Sequence, residues 1–129
     1  MKFINYNLTN NNGDSNCVIR SFCKIFNKNY DDVYSELCKI QKNLNCESYN
    51  DIEVFEKYMK NYNFNLINYG KGIQIKNLKL DNDSYIVFCW NKNDFYHMLP
   101  IINKVIYDRD KNSLNLYVLG LYKEGLNKE

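Results

Sequence analysis

The apolar residues of this 129-residue chain change their spacing once, near Asn63, and that change limits the folds open to it. Before it, apolar side chains recur at intervals of three and four, the period of a helix with one buried face. Val18, Ile19, Phe22, Cys23, Ile25 and Phe26 predict a first helix beginning near Cys17, with Asp14, Ser15 and Asn16 as candidate N-caps. Tyr30, Val33, Leu37, Ile40 and Leu44 predict a second, with Asp31 and Asp32 in its first turn. A third is predicted from about Asp51 to Tyr62, where Asn50 and Glu53 have capping-box spacing. Beyond Asn63 the runs shorten. Strands are expected over Phe64–Tyr69, Ser84–Trp90, Phe95–Ile102, Val105–Asp108 and Leu114–Tyr122, with a short one at Phe3–Asn7, while Ile73–Leu80 has no clear period. Helices first and strands last predict a single α+β domain over 1–129, its helices packed on a C-terminal antiparallel sheet.

Seventeen basic and fifteen acidic residues leave a net charge of +2, too little for a stripe that tracks phosphates, so no nucleic acid partner is expected. The longest apolar run, Tyr85–Trp90, is far short of a membrane span, and the N-terminus lacks the apolar core of a signal peptide. Five cysteines, an odd number, fit free thiols in a reducing cytoplasm. Asn occurs 23 times, Ala never and Pro once, a bias that follows AT-rich codons and carries no binding role. The rare residues are then the informative ones: one His, one Trp, one Pro and two Arg.

Cys17 falls at the start of the first helix, where unpaired backbone N–H groups and the helix dipole favour a thiolate. Its own face carries Arg20, Ser21 and Lys24, which predicts a thiol on the polar rim of a buried helix. His97 lies mid-strand. A two-residue turn at Asn103-Lys104 would pair it with Asp110 and leave Asp108 diagonal, whereas a turn at Ile102-Asn103 would pair it with Asp108 directly. Either register points both acids the same way as His97, within reach of an imidazole–carboxylate hydrogen bond unless a bulge intervenes. A Cys at a helix start, then a His, then an acid on the next strand is the order of a thiol protease.

Cys17-Val-Ile-Arg-Ser21, followed by Asn29-Tyr-Asp-Asp-Val-Tyr-Ser-Glu-Leu37 and, after His97, by Val105-Ile-Tyr-Asp108, resembles a group of small papain-like proteins of bacteria and phages. That group has an Asp-Cys-Val-x-Arg-Ala helix start, a Tyr-x-x-Val-Tyr helix, and a late His followed by a hairpin ending Ile-Tyr-Asp. It is similar in plan to the peptidases that trim bacteriocin leaders. The resemblance runs from about Asn16 to Asp108 and implies a papain-like fold. It makes Cys17 the nucleophile, His97 the base and Asp108 the orienting acid, with Asp110 as the alternative. The implied oxyanion donor six residues before the nucleophile is Asn11, with Asn12 as its alternative and the Cys17 backbone N–H as a second donor. The chain departs from the pattern at Asn16 (Asp in the group), Ser21 (Ala), Lys104 (Gly) and Arg109-Asp110, which lacks the Trp that often follows the acid.

The function expected is a cysteine peptidase acting on a peptide or protein substrate without a cofactor. The alternatives are a catalytically weak papain-like binding module, such as a phage protein engaging a host target, and an unrelated domain in which Cys17 and His97 never meet. No Cys-x-x-Cys and a single His leave no closed zinc site, and no metal is expected. Cys23, Cys38 and Cys89 are expected in the core and Cys46 in a loop. Arg20 is expected as an ion-pair partner, holding the segment before the helix. Trp90, Tyr85, Tyr96 and Tyr107 are candidates for sheet packing or for lining a cleft. So short a chain predicts a shallow site for small side chains or an extended peptide tail.

Overall fold

The computed structural model describes residues 1–7 and 16–125. The elements run β1 (Lys2–Asn5), α1 (Cys17–Phe26), α2 (Tyr30–Leu44), α3 (Ile52–Asn61), β2 (Phe64–Ile67), β3 (Ser84–Trp90), β4 (Tyr96–Ile102), β5 (Val105–Asp108) and β6 (Tyr117–Glu124). Short 3₁₀ turns cover Ile75–Asn77, within the stretch that had no period, and Lys111–Asn115, which delays β6 to Tyr117. Among the described residues the fold is α+β, with three helices and one six-stranded sheet in the order β1-β5-β4-β3-β6-β2.

The sheet is mixed, not antiparallel throughout. β1 runs parallel to β5, from Lys2 opposite Val105 to Asn5 opposite Asp108. The long connection between them permits what a hairpin cannot. The helices cover one face, where Phe22, Phe55, Tyr58 and Met59 pack on Ile86 and Met98. The other face buries Val87, Leu99, Ile101 and Ile106 beneath Ile75, Leu78 and Leu116.

Asn does at chain reversals what Gly does elsewhere. Asn27 and Asn45 end α1 and α2 with left-handed φ of 56° and 59°, and Asn63 and Asn103 also have positive φ. Asn tolerates that region better than other residues with a β-carbon, which suits a chain with five glycines. Asn29 caps α2 by accepting the Asp32 N–H at 2.9 Å. The expected capping box on α3 is absent. Asp51, not Asn50, occupies the cap, and its carboxylate accepts the Ser48 N–H at 3.4 Å.

The β4–β5 hairpin positions the site. Asn103 and Lys104 both have positive φ, 51° and 66°, the two-residue turn that matches the twist of its strands. Pairing begins at Ile102–Val105, continues to Ile101–Ile106 and stops there. Two residues from Ile102, the next donor toward β5 would be Pro100, opposite Tyr107. Proline has no N–H, so the ladder ends where the chain's one proline stands. Among the described residues, the β4 edge from Leu99 back to Tyr96 therefore has no ladder partner on the β5 side.

Candidate active site

The first turn of α1 meets this open edge. Cys17, His97 and Met98 line one pocket there, and the His97 ring and the Met98 backbone lie close enough to lower the Cys17 thiol. Along a strand, N–H groups alternate sides, so Met98 faces the same way as Pro100, toward the edge that β5 has left. His97 Nε2 lies 2.7 Å from Asp108 Oδ2, which leaves Nδ1 as the ring nitrogen for the thiol. Cys17, His97 and Asp108 thus form one line from a helix N-terminus to a strand end.

The turn at Asn103-Lys104 selects the register in which His97 is diagonal to Asp108, and no bulge interrupts the β4–β5 pairs. Of the two candidate acids, Asp108 is the one that meets His97. The chain leaves β5 at Asp108, and the Asp110 side chain accepts the Asn112 N–H at 2.9 Å, capping the 3₁₀ turn instead. Asn11 and Asn12, like the candidate caps Asp14 and Ser15, lie outside the described residues. Asn16 stands at the cap position of α1 without capping it, and its Oδ1 accepts the Tyr49 hydroxyl at 3.3 Å.

The helix rim is not polar as expected. Arg20 is 3% exposed and Ser21 1%, so α1 is buried all round from Val18 to Cys23. Arg20 Nη2 reaches Asp108 Oδ1 at 3.3 Å, making it the ion-pair partner of the acid. Its Nη1 is buried and has no hydrogen-bond partner among the described residues. Asp108, 1% exposed, is also held at Oδ2 by the Ser113 hydroxyl. Sequence reasoning missed Ser113. The Asp110-Lys-Asn112 turn was the available signal, but only the fold brings Ser113 back onto Asp108.

The charges support one another. Burial alone would raise the Cys17 thiol, but the hydrogen bond and charge of His97, the Met98 backbone and Arg20 bring it below its ordinary value. Burial would lower His97, yet the hydrogen bonds to Asp108 and Cys17 lift it to about 9. Burial is likewise outweighed at Asp108, where His97, Ser113 and the Arg109 backbone hold the carboxyl below its usual range. The other shifted thiols move the opposite way. Burial pushes Cys23 up to about 11 and raises Cys89, and both burial and Glu53 raise Cys46. Cys23 and Cys89 are core residues, while Cys38 is only half-buried because it lies beside the α2 stripe, not in it.

A pocket of about 540 Å³ opens on Cys17 and His97. Its volume falls within the roughly 300–1,000 Å³ of small-ligand clefts. The residues between β5 and β6 supply the second wall through Asp110, Asn112 and Leu116. Phe55, Phe88 and Tyr96 supply the first, with Phe95 stacked on the His97 ring at 5.7 Å. Trp90 stacks behind Tyr96 at 5.5 Å, Tyr85 is buried in the sheet, and Tyr107 lies under the Lys24 ammonium at 4.3 Å. Among the described residues no helix is long and apolar enough to cross a membrane, and no group of three or more His, Cys, Asp or Glu side chains is arranged to hold a metal. Compared with protein-family models, curated proteins and solved structures, the chain matches none.

Proposed function

We propose that this protein is a cysteine peptidase of papain-like plan, hydrolysing a peptide or isopeptide bond. The observation that carries the reading is the line Cys17–His97–Asp108, in which the helix-start thiol is pulled down and the imidazole is raised to about 9. A thiolate–imidazolium pair is the resting state of a thiol nucleophile with its acid already charged.

Chemistry follows from that state. The Cys17 thiolate attacks the scissile carbonyl carbon, and the C=O π electrons move onto oxygen. The Cys17 backbone N–H, at the positive end of α1, is positioned to stabilise that oxyanion. Collapse breaks the C–N bond, and the His97 imidazolium gives its proton to the leaving amine. This leaves a thioester and a neutral imidazole. His97 then takes a proton from water, the hydroxide adds to the thioester, and the carboxylic acid departs as Cys17 regains its electron pair. Asp108 keeps the ring turned toward the thiol and offsets the imidazolium charge without taking the proton.

Limiting iodoacetamide at pH 6, followed by peptide mapping, tests the pair. Cys17 is expected to label first among the five thiols, and His97→Ala should abolish that preference. Incubation with a mixed peptide library should then show cleavage that Cys17→Ser removes. Preferential labelling of Cys46, unchanged in His97→Ala, would mean that exposure governs reactivity. Selective Cys17 labelling with no cleavage would favour a second reading, a papain-like module that binds peptides. The exposed Phe95 and Tyr96, at 50% and 52%, support that reading.

A further inference from the structure

Asp108 is held at both oxygens, and two of its three partners, Arg20 and Ser113, exchange no proton in the proposed chemistry. Arg20 Nη2 takes Oδ1 at 3.3 Å, and Oδ2 is shared by His97 Nε2 at 2.7 Å and the Ser113 hydroxyl. Ser113 is 5% exposed and its Oγ also lies 2.7 Å from the Asp110 carbonyl. Both neighbours of that hydroxyl are acceptors, so its single proton serves one at a time. The carboxylate, being charged, is the stronger acceptor. The 3₁₀ turn fixes Ser113 in place, with the Ser113 N–H donating to the Asp110 carbonyl at 3.0 Å and the Asp110 side chain holding Asn112. The residue that could have been the acid instead builds the turn that supports it.

We infer that Ser113 is a positioning residue of the proposed active site, one that fixes the rotation of the Asp108 carboxylate so that Oδ2 stays in line with His97 Nε2. The inference rests on the proposed thiol chemistry. Without the hydroxyl, Oδ2 would lose its second donor, and the carboxyl could turn about its terminal torsion, which has only a broad preference. The Ser113 hydrogen bond also favours the ionised carboxylate, so its removal makes Asp108 easier to protonate.

The test is the pH profile of Cys17 alkylation by iodoacetamide in the full chain. In Ser113→Ala the acid limb should move up in pH, by less than the roughly one unit that losing one hydrogen bond shifts the carboxyl itself, because the effect reaches Cys17 only through His97. Ser113→Thr, which keeps the hydroxyl, should restore the wild-type limb. Superimposable wild-type and Ser113→Ala profiles overturn the role of Ser113 while leaving the thiol–imidazole pair intact. Equal shifts in Ser113→Ala and Ser113→Thr also overturn it, since packing would then be the cause. A wild-type profile with no His97-dependent limb overturns the proposed function and this inference together. Should Ser113→Ala fail to fold, the wild type decides by NMR. A slowly exchanging Ser113 hydroxyl proton with a nuclear Overhauser contact to His97 Hε2 is expected, and its absence rejects the inference.

Discussion

Arg20 and Asp108 lie 88 positions apart and form an ion pair at 3.3 Å with both side chains almost fully buried. The pair ties the first turn of α1 to the end of β5. The helix that carries Cys17 and the strand that carries the acid are therefore held in one geometry by a contact outside the thiol–imidazole pair. Arg20 also lowers the Cys17 thiol through its charge. Its second role is thus to favour the thiolate one helical turn away.

Replacing Arg20 by Met leaves Asp108 buried with one compensating cation fewer. Breaking a buried pair from one side costs about 3–5 kcal/mol, and the remaining His97 and Ser113 contacts place the expected loss at the lower end. Urea denaturation at pH 7 measures it. A loss under about 1 kcal/mol would mean that the pair is solvated in solution, as surface pairs are.

The core on the helix side gives a sharper contrast. Phe22 is fully buried, 4.8 Å from the Tyr58 ring and 5.6 Å from Phe26, so Phe22→Ala should cost about 3–5 kcal/mol. Cys17→Ala removes one half-buried sulfur and should cost about 1 kcal/mol or less. Thermal melts ranking the two in the opposite order would contradict the orientation of α1.

The proposed mechanism separates two pH profiles. His97 is raised to about 9, above its ordinary value, so the imidazolium is present below that pH and is lost as pH rises through it. Peptide cleavage needs that proton for the leaving amine, so kcat/KM should fall along an alkaline limb near pH 9. Alkylation of Cys17 needs only the thiolate and should not fall there. The raised His97 likewise contributes stability that is complete below the unfolded value of about 6.5 and is lost as pH rises through about 9. The melting temperature of wild type should thus decline toward that of His97→Gln over the same interval. A constant difference between the two proteins from pH 6 to 10 would remove the coupling.

What the sequence disclosed divides along a physical line. Each helix was legible because its stripe repeats locally, and β3 because an apolar run bounded by polar turns has few alternatives. That His97 and Asp108 share a face was legible because strand parity survives a change of register, whereas the choice between a diagonal and a direct pairing needed the turn itself. Contacts that depend on distant chain segments were not: β1 parallel to β5, Arg20 on Asp108, and Ser113 returning to the same carboxylate. No spacing rule links positions 20, 108 and 113, since only packing of the helix against the sheet brings them together. The composition pointed to Pro100 as rare, yet its consequence required knowing that its nitrogen faces β5.

Pro100 supplies the last prediction. It is buried in β4 between strands on both sides, a position where proline removes a ladder bond. The missing N–H falls opposite Tyr107, and beyond it the edge of β4 receives the thiol of α1 through Met98. Pro100→Val restores a donor with a side chain suited to a strand, and the new N–H faces the Tyr107 carbonyl. One net hydrogen bond of about 1 kcal/mol would then draw β5 toward β4. The pairs Ile102–Val105 and Ile101–Ile106 should extend by one more, seen as slow hydrogen exchange at the new residue 100 amide. Closing the edge crowds the first turn of α1, so selective alkylation of Cys17 at pH 6 should weaken relative to wild type while the fold persists. A fast-exchanging residue 100 amide together with unchanged labelling would show that α1 itself, wedged at the strand ends, keeps the edge open.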